Sequence, residues 1–305
     1  MKSLGPIIGI LALPSDHSDC VTVANDFGVG NSTGTSCFHS LYVKWLEAAG
    51  ARVAPLPFDL PAAKFDAMLN SLNGALITGG ETKITHDHSP YMNAARKLYE
   101  HSKALHAKSG EAWPLWGTCM GMQVLSILGA NDPSVLQSFA YKSEDLILPL
   151  QLTPAAATSR LLCEKCLRPA EALQTLTTAN VTVNLHHDGV LPSSFAPNTT
   201  LGNSFTVLST NVDRVGKPFA STIEAKGGAP IWGVQWHPER PQFDYRGRAY
   251  NRSEGAIEAM FSLSARLVRE ARKSPRRFPD AASEAKSLIY NYRPVGDTSY
   301  EAYFF

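Results

Sequence analysis

The sequence predicts an α/β fold, a mainly parallel sheet covered on both faces by helices, with an antiparallel extension in its second half. Branched apolar runs of strand length alternate with helical patterns through the first half, and such alternation builds parallel βαβ units. Apolar runs in the second half are short and separated by turn-rich stretches, as antiparallel strands are. A composition of 44% hydrophobic and 18% charged residues over 305 positions belongs to a folded chain with a sizeable core.

The first strand is IIGILAL from Ile7, followed by RVAPLPF from Arg52, GALITGG from Gly74 and WPLWGTC from Trp113. Residues 36–49 read as a helix with Phe38, Leu41, Tyr42, Trp45 and Ala49 on one face, and residues 89–107 as another through Ala94, Leu98 and Leu105. Crossovers of this length are right-handed. In the second half, DLILPLQL from Asp145, VTVNLH from Val181, SFTVLST from Ser204, ASTIEA from Ala220 and IWGVQW from Ile231 read as strands, with a helical interlude over 159–176. Residues 251–273 form the clearest late helix, with Ile257, Phe261, Ser264 and Val268 as its stripe and Asn251 and Glu254 at N-cap and N3 spacing. Residues 275–305 read as an irregular tail packed on the body through Tyr290, Tyr292, Tyr300, Phe304 and Phe305. With no repeat or long linker, residues 1–305 are expected to form one domain.

Charge excludes some partners. Lys and Arg total 28 against 27 Asp and Glu, a formal charge of +1 that leaves no long-range field for nucleic acid or anionic lipid. The basic cluster Arg266, Arg269, Arg272, Lys273, Arg276 and Arg277 follows an amphipathic stretch and reads as a solvated helix face and end. No run approaches the roughly 18 apolar residues of a spanning helix. Ile7 to Leu13 reads as a buried strand, so a secretory signal is expected to be missing from this chain.

Cys20, Cys37, Cys119, Cys163 and Cys166 are too few and too scattered for a disulfide framework, and their odd number leaves at least one thiol unpaired in the monomer. N-x-[ST] sequons at Asn31, Asn180, Asn198 and Asn251 make these the candidate N-glycosylation sites of a secretory-pathway product.

The sharpest chemical signal is PLWGTCMGMQVL. An apolar strand runs through Gly117-Thr118-Cys119-Met120-Gly121 into a helical pattern, the layout of a nucleophile elbow with Cys in the place of Ser. The flanking glycines relieve the tight turn, and the helix N-terminus favours an anionic sulfur. Beyond IWGVQW comes His-Pro-Glu. Period two in an extended segment would send His237 and Glu239 to the same side, giving a nucleophile, a base and an orienter in Cys119, His237 and Glu239. Gly79 and Gly80 follow the third strand and offer backbone N–H groups. Gly80 and Met120 are the expected oxyanion donors.

These stretches resemble the gamma-glutamyl hydrolase family of the class I glutamine amidotransferase-like superfamily. The resemblance runs through PIIGIL from Pro6, YVKWLEAAGARV from Tyr42, LNGALITGG from Leu72, WPLWGTCMG from Trp113, VNLH from Val183, GVQWHPE from Gly233 and EAKSLIYNY from Glu284. It implies a flavodoxin-like three-layer α/β/α fold, a Cys119, His237, Glu239 triad, no cofactor and no metal. It further implies hydrolysis of the γ-linked tail of folylpolyglutamates or antifolate polyglutamates, a homodimer, and a lysosomal, vacuolar or secreted location. His186 matches a further active-site histidine, which with Gly79 is expected to bind substrate, His186 by meeting an α-carboxylate; His187 is not carried over. This chain has ITGG where related sequences often have FPGG, and residues 15–35 fit the family poorly.

Other residues have blander readings. Cys163 and Cys166 lack the strand-to-helix context of a redox motif and a second pair for zinc. His86 and His88 read as a polar rim loop, and Trp113, Trp116, Trp232 and Trp236 as packing. The rival enzyme is a glutaminase, an amidotransferase or a hydrolase of a small γ-glutamyl amide, since all attack a γ-carbonyl; no P-loop or synthase domain accompanies this chain. A silent scaffold would not need the triad.

Overall fold

The computed structural model describes residues 4–16, 18–26, 35–86, 88–246, 248–297 and 300–305. Eight strands form the central sheet: β1 Ile7–Leu11, β2 Arg52–Leu56, β3 Gly74–Ile77, β4 Leu115–Thr118, β5 Gln151–Leu152, β6 Phe205–Val212, β7 Pro218–Ala225 and β8 Ile231–Val234. Their order is β2-β1-β3-β4-β8-β7-β6-β5. The pairs β1–β2, β1–β3, β3–β4 and β4–β8 are parallel, whereas β8–β7, β7–β6 and β6–β5 are antiparallel. This is a flavodoxin-like order with an antiparallel edge, in which sites form beyond the carboxyl ends of the parallel strands.

Every residue of β1, β3, β4 and β8 is buried, as parallel strands between two helical layers must be. Ile7 and Leu11 pack toward α2 (Ala62–Ser71), α3 (Pro90–Ser109) and α4 (Met120–Ala130) through Phe65, Leu69, Leu98 and Leu125. Ile8 and Ile10 face the opposite layer, α1 (Ser40–Ala48) and α5 (Glu254–Ala271), with Trp45, Trp116, Met260 and Leu263. The indole N–H of Trp45 donates to the Met260 carbonyl at 3.1 Å and so ties these two helices together.

Several expectations need correction. Residues 36–39 are a strand, and the helix begins only at Ser40, because Ser36–His39 is claimed by pairing with Tyr300–Phe304. The interlude over 159–176 is helical only in Glu171–Thr178; before it the chain turns through the Cys163–Cys166 disulfide. α5 is capped by Ser253, whose hydroxyl accepts the Ala256 N–H, so the Asn251 cap is displaced by two residues. Its buried stripe runs through Ala256, Met260, Leu263 and Leu267, while Phe261 is exposed: the true apolar face is rotated from the expected one. Ser264 and Val268 are buried as expected.

The tail is not irregular. It holds the helix Ala281–Ser287 and the strands Val295–Asp297 and Tyr300–Phe304, which complete a four-stranded sheet with Ser36–His39 and Leu13–Pro14. Leu288, Ile289, Tyr300 and Ala302 are buried, and Phe304 and Phe305 pack partly buried against the core as expected; Tyr290 and Tyr292 are exposed. Asn73 fastens it, accepting the Ile7 N–H and donating to the Arg276 carbonyl, both at 2.8 Å. The cysteines pair more than expected: Cys20–Cys37 and Cys163–Cys166 are bonded and Cys119 is free. Among the described residues no helix is long and apolar enough to cross a membrane.

Candidate active site

β4 ends at Thr118 and α4 starts at Met120, so Cys119 sits alone in the turn between them, at φ 51° and ψ −108°. A residue with a Cβ holds that conformation only where its surroundings impose it. The Cys119 N–H donates to the Val234 carbonyl at 2.7 Å, and its carbonyl accepts from Met122 and Gln123 at 3.0 and 3.2 Å. Gly121 makes the turn possible, since a Cβ there would run into the Ile77 carbonyl. The Gln235 amide donates to the Cys119 sulfur at 3.6 Å, and Gln123 in turn donates to Gln235 at 3.3 Å.

β8 delivers the partner. The His237 N–H donates to the Val183 carbonyl at 2.8 Å, and His237 Nδ1 lies 2.6 Å from Glu239 Oε1, with both side chains almost fully buried. The expected extended segment is absent: Glu239 has helical angles, φ −76° and ψ −22°, and a turn rather than strand alternation brings the carboxylate to the ring. Burial opposes the imidazolium, but the Glu239 carboxylate and the hydrogen-bonded Cys119 sulfur outweigh it and raise His237 to about 9. The imidazolium is therefore the prevailing form at neutral pH.

The two glycines after β3 differ. Gly79 donates its N–H to the Tyr42 hydroxyl at 2.8 Å and is packed so closely that a Cβ would stand 2.8 Å from the His237 ring and 3.1 Å from Cys119 Cβ. Contrary to expectation it is a spacer between β3 and the Cys119–His237 pair, and it does not line the cavity. Gly80, at φ 129°, does line it, and neither its N–H nor that of Met120 has a hydrogen-bond partner among the described residues.

His186 also lines the cavity. Burial lowers it to about 4, against the opposing Asp188 carbonyl and with help from nearby His237. Its Nδ1 lies 2.8 Å from that carbonyl and so carries the proton, leaving buried, unpartnered Nε2 as a lone-pair acceptor. Nε2, with a lone pair and no hydrogen, cannot donate to a carboxylate, contrary to the role expected of His186, and can only accept from an N–H. Asp188 is engaged away from His237, with His187 at 2.7 Å and the Phe139 N–H at 2.6 Å.

Cations that the sequence did not single out complete the cavity, about 580 Å³ in volume: Lys83, Arg240, Arg246 and Arg248 line it beside Cys119 and His237. Buried Asp244 accepts from Arg240 at 2.8 Å and from Arg246 at 3.1 Å; burial resists its charge, but these guanidinium groups hold its carboxyl well below the usual range. The one sequence signal was the Arg240, Asp244 spacing of four just past His-Pro-Glu, a helical-turn ion pair.

Residues 6–239 match the family described as peptidase C26. The chain belongs to the peptidase C26 family. It is 34% identical over 293 residues to gamma-glutamyl hydrolase of Mus musculus, covering 95% of this chain and 85% of that protein. It is also 34% identical over 291 residues to gamma-glutamyl hydrolase 1 of Arabidopsis thaliana, covering 95% and 78%. The glutaminase domain of Trypanosoma brucei CTPS shares the fold at a TM-score of 0.54, with 13% identity over 90% of this chain and 96% of that one. The matched C26 segment holds Cys119, His237 and Glu239 together with Gly80, Met120 and His186. In this C26 chain the four tryptophans read as packing are buried and absent from the cavity lining. Asn180 and Asn198 are exposed and Asn251 is half-buried; Asn31 lies outside the described residues.

Proposed function

We propose that this protein is a cysteine hydrolase of folylpoly-γ-glutamates. The observation that carries the mechanism is the buried His237–Glu239 pair beside a free cysteine held in a strand-to-helix turn. The Cys119 sulfur attacks the γ-carbonyl, and the oxyanion rests on the N–H groups of Gly80 and Met120. Imidazolium His237 gives its proton to the departing amine, which leaves as glutamate or a short polyglutamate. The acyl group stays on sulfur as a thioester, and His237 then takes a proton from water to release the shortened folate. Glu239 holds the ring in orientation. His186 accepts from a substrate N–H, while Lys83, Arg246 and Arg248 offer donors for α-carboxylates.

The identity to curated gamma-glutamyl hydrolases supports this reading over a glutaminase or amidotransferase. Mass-resolved product analysis with pteroylpentaglutamate and free glutamine offered separately tests it; efficient glutamine hydrolysis with no cleavage of the pteroyl substrate would overturn the substrate assignment.

A lysosomal, vacuolar or extracellular location is supported by the sequons and by two disulfides, which persist in oxidising compartments. A glycosidase-sensitive mass shift of the protein from its own cells checks it. The homodimer rests on the family resemblance alone and is checked by sedimentation.

A further inference from the structure

Phe139 is 79% exposed and has a left-handed backbone, φ 51°, a conformation that is costly for a bulky residue. Solvation of an apolar ring gives the fold nothing in return, yet the geometry is held deliberately. The Phe139 N–H donates to Asp188 Oδ1 at 2.6 Å, the same oxygen that engages His187 Nδ1 at 2.7 Å. The next two amides, of Ala140 and Tyr141, both donate to the His187 carbonyl at 2.9 Å. The result is a parallel stack of the Phe139 ring on the His187 imidazole, centroids 4.5 Å apart and planes 10° apart. Both residues line the cavity that contains Cys119. With the tryptophans buried elsewhere, Phe139 is the one aromatic residue other than histidine among the described lining residues.

We propose that Phe139 and His187 form a stacking platform in the wall of the Cys119 cavity for a planar aromatic group of the substrate. This rests on the hydrolase reading above, in which a γ-glutamyl chain is carried on a planar pteroyl unit, and it names the protein surface that receives that unit. His187 covers one side of the Phe139 ring and fixes its plane, so the remaining exposed ring can stack on a flat ligand without losing rotamer freedom on binding. The strained backbone and the shared Asp188 contacts are then accounted for: they keep an apolar ring out of the core and flat against the imidazole.

The test compares two substrates with the same scissile bond, γ-linked diglutamate carrying either a pteroyl or an acetyl group, and adds equilibrium binding of pteroate to Cys119→Ala protein. Phe139→Ala should raise KM for the pteroyl substrate by roughly tenfold, leave kcat nearly unchanged and leave the acetyl substrate within about twofold. Phe139→Tyr should restore the parent KM, and Phe139→Leu, which keeps apolar bulk but not a ring, should behave as the Ala variant and guards against a folding defect in it. Pteroate binding should weaken in parallel when Phe139→Ala is added to Cys119→Ala. Equal loss on both substrates, or an unchanged pteroyl KM, overturns the platform while leaving the hydrolase. A parent enzyme that cleaves neither substrate overturns the hydrolase reading, and pteroate binding that is insensitive to Phe139 then overturns the platform as well.

Discussion

The Tyr42 hydroxyl accepts the Gly79 N–H at 2.8 Å, fastening a helix of one layer to the strand end beside Cys119. That contact removes Gly79 from the donors open to substrate and leaves Gly80 as the member of the pair that faces the cavity. Burial, with the charges of Glu239 and Cys119, holds the Tyr42 hydroxyl in its protonated form far above the usual tyrosine range.

Tyr42→Phe leaves the Gly79 N–H buried without an acceptor. Stability should fall by about 1–3 kcal/mol, with a loss of turnover as Gly79, the spacer beside His237 and Cys119, loses its anchor. Chemical denaturation and kcat on a γ-glutamyl substrate check both; parent-like values would show that the contact positions nothing.

Cys119→Ala should abolish turnover, by roughly 10⁴-fold or more, in a protein that still folds. Removing the side chain takes away the nucleophile and spares the backbone contacts to Val234, Met122 and Gln123. Near-normal turnover of the pure variant would discard the covalent mechanism.

Glu239→Gln removes the main charge that raises His237, so turnover should fall less than without Cys119, on the order of 10²-fold. In the parent, activity that needs the imidazolium as proton donor should decline as pH rises through about 9, and in the variant that alkaline limb should move down toward the ordinary histidine value of 6.5. An alkaline limb at the same pH in both proteins would remove Glu239 from the pair.

The same shift has a sign for stability. A histidine raised from 6.5 to about 9 on folding contributes fully below 6.5, and that contribution is lost as pH rises through about 9. Denaturation of parent and His237→Gln should therefore differ more at pH 6 than at pH 10. A difference independent of pH would show that the imidazolium is not stabilised by folding.

Gln235→Leu keeps the buried bulk but removes the amide that donates to Cys119 Sγ at 3.6 Å. Turnover of a γ-glutamyl substrate should fall several-fold, because the amide helps to hold the sulfur in its attacking position. Parent-like turnover would reduce the contact to packing.

The strands around the cleft, and Cys119, His237 and Glu239 as neighbours of strand ends, were legible in the sequence because they rest on local signals: apolar runs of strand length, glycines on both sides of a cysteine, a polar triplet after a buried run. The buried neutrality of His186 was not, since it depends on a carbonyl two residues away and on the burial of the whole ring. The tail strand Tyr300–Phe304 was missed for a related reason: its partner, Ser36–His39, lies far away in sequence and reads as the first turn of a helix until the pairing claims it. The Arg240–Asp244–Arg246 cluster and the Phe139–His187 stack likewise join side chains whose relation is fixed by turns and long-range contacts. Periodicity and motif spacing thus determined the parallel core and singled out Cys119, His237 and Glu239, because both are properties of neighbouring residues. Only the tertiary structure decided which groups are charged, which donors are free and which rings meet, because those follow from burial and from contacts between segments that the chain order keeps apart.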